Sequence, residues 1–158
     1  MADSKGVCGE CTACCDVFPV PDLNKAANEK CIHCDAGCTI YGDRPSVCSV
    51  FECAYLQSTA PTTVRPDNCG VIFEKVSDRI FFGTVFKTPT RAAIDQTHSF
   101  INQGFTVVLA SNTGRFQKTH LAPGHDADEI RVEFLAYVKE AMKSGDLRNR
   151  PSSSSDRI

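Results

Sequence analysis

The stretch Cys8-Gly-Glu-Cys11-Thr-Ala-Cys14-Cys15 packs four thiols into eight residues, and Cys31-Ile-His-Cys34-Asp-Ala-Gly-Cys38 adds three more with a histidine between two of them. A two-residue gap lets a tight turn point two sulfurs at one ion, while N–H groups of the same turn hydrogen-bond the thiolates. Gly9 and Gly37 lie inside these turns, where a positive φ or a close approach to a metal favours glycine. Cys48 and Cys53 follow, then Cys69, and the 89 residues beyond it contain no cysteine. A single Cys-x-x-Cys is a weak signal. Three such gaps, a Cys-Cys doublet and two further cysteines within residues 8–53 form a strong one for a metal site.

The spacing leaves the metal open. Tetrahedral zinc takes four ligands, so about two zinc ions use eight of the cysteines, or seven and His33, and bridging thiolates lower that number. The run Cys8-x-x-Cys11-x-x-Cys14 also matches part of a ferredoxin pattern, which makes iron or an iron–sulfur cluster the alternative. The ferredoxin run ends x-x-x-Cys-Pro, whereas here Cys15 follows at once and the next proline is Pro19, which favours zinc. Structural disulfides are the competing reading of ten cysteines. They need an oxidising compartment, and the adjacent Cys14 and Cys15 cannot easily bond each other. A catalytic cysteine needs a positioned base, and no cysteine stands apart with a His and Asn or Asp partner.

Composition narrows the setting. The chain has 158 residues, 42% hydrophobic and 23% charged. Its net charge of −2 and isoelectric point near 6.1 argue against a general nucleic-acid binder or a binder of anionic membranes. No apolar run approaches the roughly 20 residues that span a bilayer. The opening Met-Ala-Asp-Ser-Lys-Gly lacks the apolar core of a signal peptide, so a cytoplasmic location is expected. Charge divides the chain as the cysteines do. Residues 1–69 carry five Lys/Arg against nine Asp/Glu, and residues 70–158 twelve against ten. Expected regions are therefore a cysteine-cluster metal-binding region over 1–69, an α+β region over 70–146 and a disordered tail over 147–158, the first two either separate or integrated into one domain.

Taken in order, Cys8-x-x-Cys11-x-x-Cys14-Cys15, Cys31-x-His33, Gly37-Cys38-Thr39-Ile40-Tyr41, Arg44-Pro45-x-x-Cys48 and Phe51-x-Cys53 resemble the bacterial cysteine-cluster proteins, described as a zinc- or iron-chelating domain of the CxxCxxCC type. The likeness covers about residues 8–56. It implies ligands at Cys8, Cys11, Cys14, Cys15, Cys31, Cys38, Cys48 and Cys53, with Cys34 belonging to a subset of the family pattern. It brings no established reaction, and Cys69 lies outside it.

Other residues carry secondary roles in this reading. His33 is either a ligand or a hydrogen-bond donor to a thiolate, and the Arg44 guanidinium offsets thiolate charge beside Pro45. His98, His120 and His125 are expected to be structural.

The cysteine-free part reads as an α+β unit. Val71-Ile-Phe-Glu and Arg79–Phe86 are strands joined at Ser77-Asp78. Thr90 caps a helix with Ala93, Ile94, Thr97, Phe100 and Ile101 on one face, ended by Gly104. Residues 105–110 and 115–121 are strands around Asn112-Thr-Gly114. Asp126 and Glu129 start a last helix whose apolar face is Ile130, Phe134, Leu135, Val138 and Met142, closed by Gly145. The expected order is β-β-α-β-β-α, a small antiparallel sheet with about two helices on one face and the metal-stapled segment packed on it. Too few apolar residues lie in the cysteine stretch for a core of its own, so metal binding is expected to supply its folding energy.

Function follows the cysteines. The leading expectation is a metal-binding protein with a structural or sensing role, no identified catalysis, and an unknown protein partner beyond the ions. The alternative is an iron–sulfur redox or sensor protein.

Overall fold

The computed structural model describes residues 8–57, 60–61 and 64–143. The expected tail over 147–158 and the Gly145 helix end lie outside these residues.

Among its described residues the cysteine segment holds three short helices, α1 (Ala13–Val17), α2 (Ser46–Val50) and α3 (Pro66–Cys69), with 3₁₀ turns at Pro21–Leu23 and Tyr41–Asp43. A four-stranded sheet follows, with β1 (Val71–Lys75), β2 (Ile80–Val85), β3 (Thr106–Ser111) and β4 (Gln117–His120) in spatial order β1-β2-β3-β4. Helix α4 (Arg91–Asn102) connects β2 to β3, and α5 (Ala127–Lys143) follows β4. The fold is α+β.

The sheet is mixed rather than antiparallel. β1/β2 and β3/β4 pair antiparallel, but β2 and β3 run parallel, with Phe81 opposite Val107 and Gly83 opposite Leu109. The cause is α4. A helix between two neighbouring strands carries the chain back to the end where the first strand began. Among the described residues the sheet carries the two long helices expected, and three more helices lie in the cysteine segment, where four or five residues leave no periodic apolar stripe to read.

The two long helices cover opposite faces of the sheet, not one. Phe73, Phe81 and Val107 pack on Ala93 and Phe100 of α4, with the Phe81 and Phe100 rings stacked at 3.8 Å. Ile80, Phe82 and Val108 point the other way, onto Ile130, Phe134 and Val138 of α5. Period-2 alternation makes the uninterrupted Val71-Ile-Phe and Ile80-Phe-Phe runs a sign of strands buried on both sides.

The α4 cap stands as the sequence predicts, since the Thr90 hydroxyl accepts from the Ala93 N–H at 3.4 Å. At α5 the Asp126 carboxylate accepts from the N–H groups of Asp128 and Glu129, both at 3.0 Å. The Glu129 carboxylate turns instead to Arg79 at 3.3 Å. Leu135, Met142 and Ile94, expected on buried faces, are exposed. Ala141 and Gln96 take the inward positions, because the 3.6-residue period places them over the core.

The cysteine segment does have packing of its own. Ala13, Val17, Phe18 and Cys53 bury against Ile72, with Phe51, Tyr55, Leu56 and Phe86 around them. Phe18 meets Phe51 edge-on at 5.3 Å. Asn28 ties the segment to the β3–β4 turn, donating to the Asn112 carbonyl at 3.2 Å and accepting from its side-chain amide at 2.8 Å. Ile72 lies on the α5 side of the sheet, so this layer and α5 share one face. Between residues 24 and 52 the position is different. There the buried residues are Lys25, Cys31, Cys34 and Gly37, with no large aliphatic or aromatic side chain among them.

Candidate metal centre

Eight of the ten cysteines line one cavity of about 80 Å³: Cys8, Cys11, Cys14, Cys15, Cys31, Cys38, Cys48 and Cys53. Its apolar wall comes from Phe18, Val20, Ile40, Val47, Phe51 and Leu56, and Tyr41 and Arg44 stand on its rim. Cys34 is buried and does not line the cavity; it is bridged backbone to backbone with Cys38. Cys69 is elsewhere. It sits at the end of α3 in the core under α4, its thiol donating to the Val71 carbonyl at 3.2 Å and the Val64 carbonyl at 3.5 Å.

Two turns deliver Cys8, Cys11 and Cys31 to the cavity, and they are built alike. The Cys11 N–H donates to the Cys8 carbonyl at 2.8 Å, and the Cys34 N–H to the Cys31 carbonyl at 3.0 Å. Each bond closes a Cys-x-x-Cys turn and brings both its cysteines to one side. Gly37 sets how near the two turns come. Its φ is +136°, and a Cβ there would lie 2.6 Å from the Gly9 carbonyl oxygen. Only glycine allows that approach.

Burial raises the pKa of five of the thiols. Burial pushes Cys14 well above the ordinary thiol range, and its neighbours Cys53, Cys11, Cys8 and Cys15 add to the push. Burial also raises Cys15, helped by the charge and hydrogen bond of Cys34 and by Cys38 and Cys31. Cys53 and Cys69 rise through burial as well. Cys11 is pushed up to about 11 by burial; the backbone hydrogen bonds of Ala13 and Asp67 resist, and the Asp67 carboxylate reinforces the rise. Burial would raise Asp67 in turn, but the Arg65 fork, at 2.7 and 2.9 Å, outweighs it and holds that carboxyl low.

Cations flank the thiols. Arg44 stacks over the Tyr41 ring at 3.7 Å and donates to the Tyr41 carbonyl at 2.8 Å, so the expected guanidinium is at the rim. Lys25 was not anticipated. It is buried, donates to the Phe18 carbonyl at 2.5 Å, and lies within electrostatic reach of Cys31 and Cys15. Burial lowers its pKa while those thiols oppose the shift. No motif marks a lysine in a polar loop, so sequence offered no signal for it; Asp67 beside Cys11 was equally unmarked.

His33 does not line the cavity. Among the other histidines, His125 bonds Thr106 Oγ1 through Nδ1 at 2.8 Å, and burial, then Lys118 and His98, lowers the pKa of His120.

The donor set is sulfur-rich and suits a thiophilic cation. Among the described residues, however, no three His, Cys, Asp or Glu side chains converge closely enough to hold an ion as they stand. Binding would require the thiols to lose their protons and close on the ion. No described helix is long and apolar enough to cross a membrane. Comparisons with protein-family models, curated proteins and solved structures give no match, so the likeness to cysteine-cluster proteins rests on the residues quoted above.

Proposed function

We propose that this protein chelates metal ions, about two zinc ions per chain, through its cysteine cluster, in a structural or sensing role without catalysis. The observation that carries the reading is the convergence on one cavity of eight cysteines scattered from position 8 to position 53. Thiols have no packing reason to face a common space, since isolated cysteines behave as small hydrophobes spread through a core. A cation supplies the reason. It offsets the cost of ionising neighbouring buried thiols, and Lys25 and Arg44 reduce the surplus negative charge that eight thiolates leave around two divalent ions.

The chain's own residues hold and orient the donors. The two Cys-x-x-Cys turns present paired sulfurs, α1 supplies the doublet, and the apolar wall limits water. A cytoplasmic setting, where thiols stay reduced, belongs to this proposal.

A specific feature favours iron–sulfur ligation as the second reading. Cys8, Cys11 and Cys14 come from one short run, and Cys14 has the distant Cys53 as a neighbour. Three local cysteines and one remote one recur in ferredoxin-type sites. Elemental analysis and a visible spectrum of anaerobically purified protein decide. About two zinc and no colour support the proposal, iron with labile sulfide and a charge-transfer band supports the second reading, and metal-free protein carrying disulfides refutes both.

A further inference from the structure

The geometry points to two separate four-cysteine sites divided at the Cys14–Cys15 peptide bond: Cys8, Cys11, Cys14 and Cys53 at one, and Cys15, Cys31, Cys34 and Cys38 at the other. The inference rests on the metal-binding reading and names its ligand sets, with Cys34 in place of Cys48.

Helix geometry starts the division. Cys14 and Cys15 are consecutive residues of α1, and consecutive side chains on an α-helix diverge by about 100°. They cannot easily serve one ion together. Cys14 joins Cys11 and Cys53 in the apolar cluster on Ile72, and Cys8 is bound to Cys11 through the first turn. Cys15 turns toward the second turn. Its carbonyl accepts from the Cys31 N–H at 2.9 Å, its thiol lies within electrostatic reach of Cys34, Cys38 and Cys31, and Cys34 is bridged to Cys38.

Each set therefore has the same parts: a hydrogen-bonded Cys-x-x-Cys pair, one member of the doublet, and one further cysteine, Cys53 or Cys38. Each is the complete donor set of a closed tetrathiolate site, in which four thiols release their protons to bind one divalent ion. Cys48 reaches the cavity from α2, and Cys69 lies in the core; neither is needed to complete a set.

The test loads the full-length reduced chain with cadmium-113 and reads metal stoichiometry with the cadmium NMR spectrum. Wild type is expected to bind two ions with two resonances. Cys53→Ser should remove one resonance, Cys34→Ser the other, and Cys48→Ser neither. Because Cys53 is buried against Ile72, Cys8→Ser is measured beside it and should remove the same resonance, with the amide spectrum of 71–143 confirming an intact sheet. If every variant alters both resonances together, or if Cys48→Ser loses an ion while Cys34→Ser keeps two, the division is wrong although chelation stands. If wild type takes up no cadmium, the chelation reading falls with it.

Discussion

Replacing Gly37 by alanine tests whether the approach of the two cysteine turns controls metal affinity. At φ +136° a side chain is strained, and the new Cβ would stand 2.6 Å from the Gly9 carbonyl oxygen. That neighbour is backbone, not the yielding end of a side chain. A residue forced into such a conformation costs about 1–3 kcal/mol. In the metal-free chain, residues 24–52 have little apolar burial to hold them and the turn can relax away. With ions bound both turns are fixed, so the strain falls on the bound form. At about 1.4 kcal/mol per factor of ten, affinity should drop about 5- to 150-fold. Gly42→Ala is the control, because nothing lies within 4 Å of its Cβ position and its φ carries no strain. Competition of each variant with a chromophoric zinc chelator measures the difference. Wild-type affinity in Gly37→Ala, or equal losses in both variants, would refute the reasoning.

Other outcomes follow from the same geometry. Phe18→Ala should cost about 3 kcal/mol or more by opening a cavity between the cysteine segment and Ile72; a loss under about 1 kcal/mol in urea unfolding contradicts that anchor. Chelation of bound metal under reducing conditions should raise amide exchange over 24–52 while 71–143 stays protected, and unchanged exchange over 24–52 argues against stapling by metal. The reduced, metal-free protein should lose stability as pH climbs. Cys11, Cys14, Cys15, Cys53 and Cys69 hold their protons more tightly folded than unfolded, so their contribution is complete below about 9 and disappears as pH rises through about 11 for Cys11. Thermal melts from pH 8 to pH 11 in chelator check this, and a flat profile contradicts it. The metal-bound form should respond in the opposite sense at the acid end, because protonated thiols release the ion.

The sequence made the site more legible than the fold around it. Cysteine spacing singles out nine cysteines, of which eight line the cavity and Cys34 does not, because clustered thiols stand out in a sequence whatever the surrounding fold. Thr90 and Asp126 were readable as caps because capping is local chemistry. The parallel pairing of β2 with β3 was not, although Val71-Ile-Phe and Ile80-Phe-Phe carry the doubly buried pattern that goes with it. The anchor of Ala13, Val17 and Phe18 on Ile72 was missed for a related reason. Those residues are too few for periodicity, and they become a core only when a strand some fifty residues on comes to cover them. Lys25 was illegible because its burial follows from the Val20–Lys25 loop closing on itself.

The central claim is that sulfur alone surrounds the bound metal. X-ray absorption at the metal edge of the native, anaerobically purified protein tests it most directly. The account predicts about four sulfur neighbours per metal at about 2.3 Å, with no nitrogen or oxygen in the first sphere. A first sphere dominated by nitrogen or oxygen, or a protein that retains no metal and shows oxidised cysteines, would contradict it.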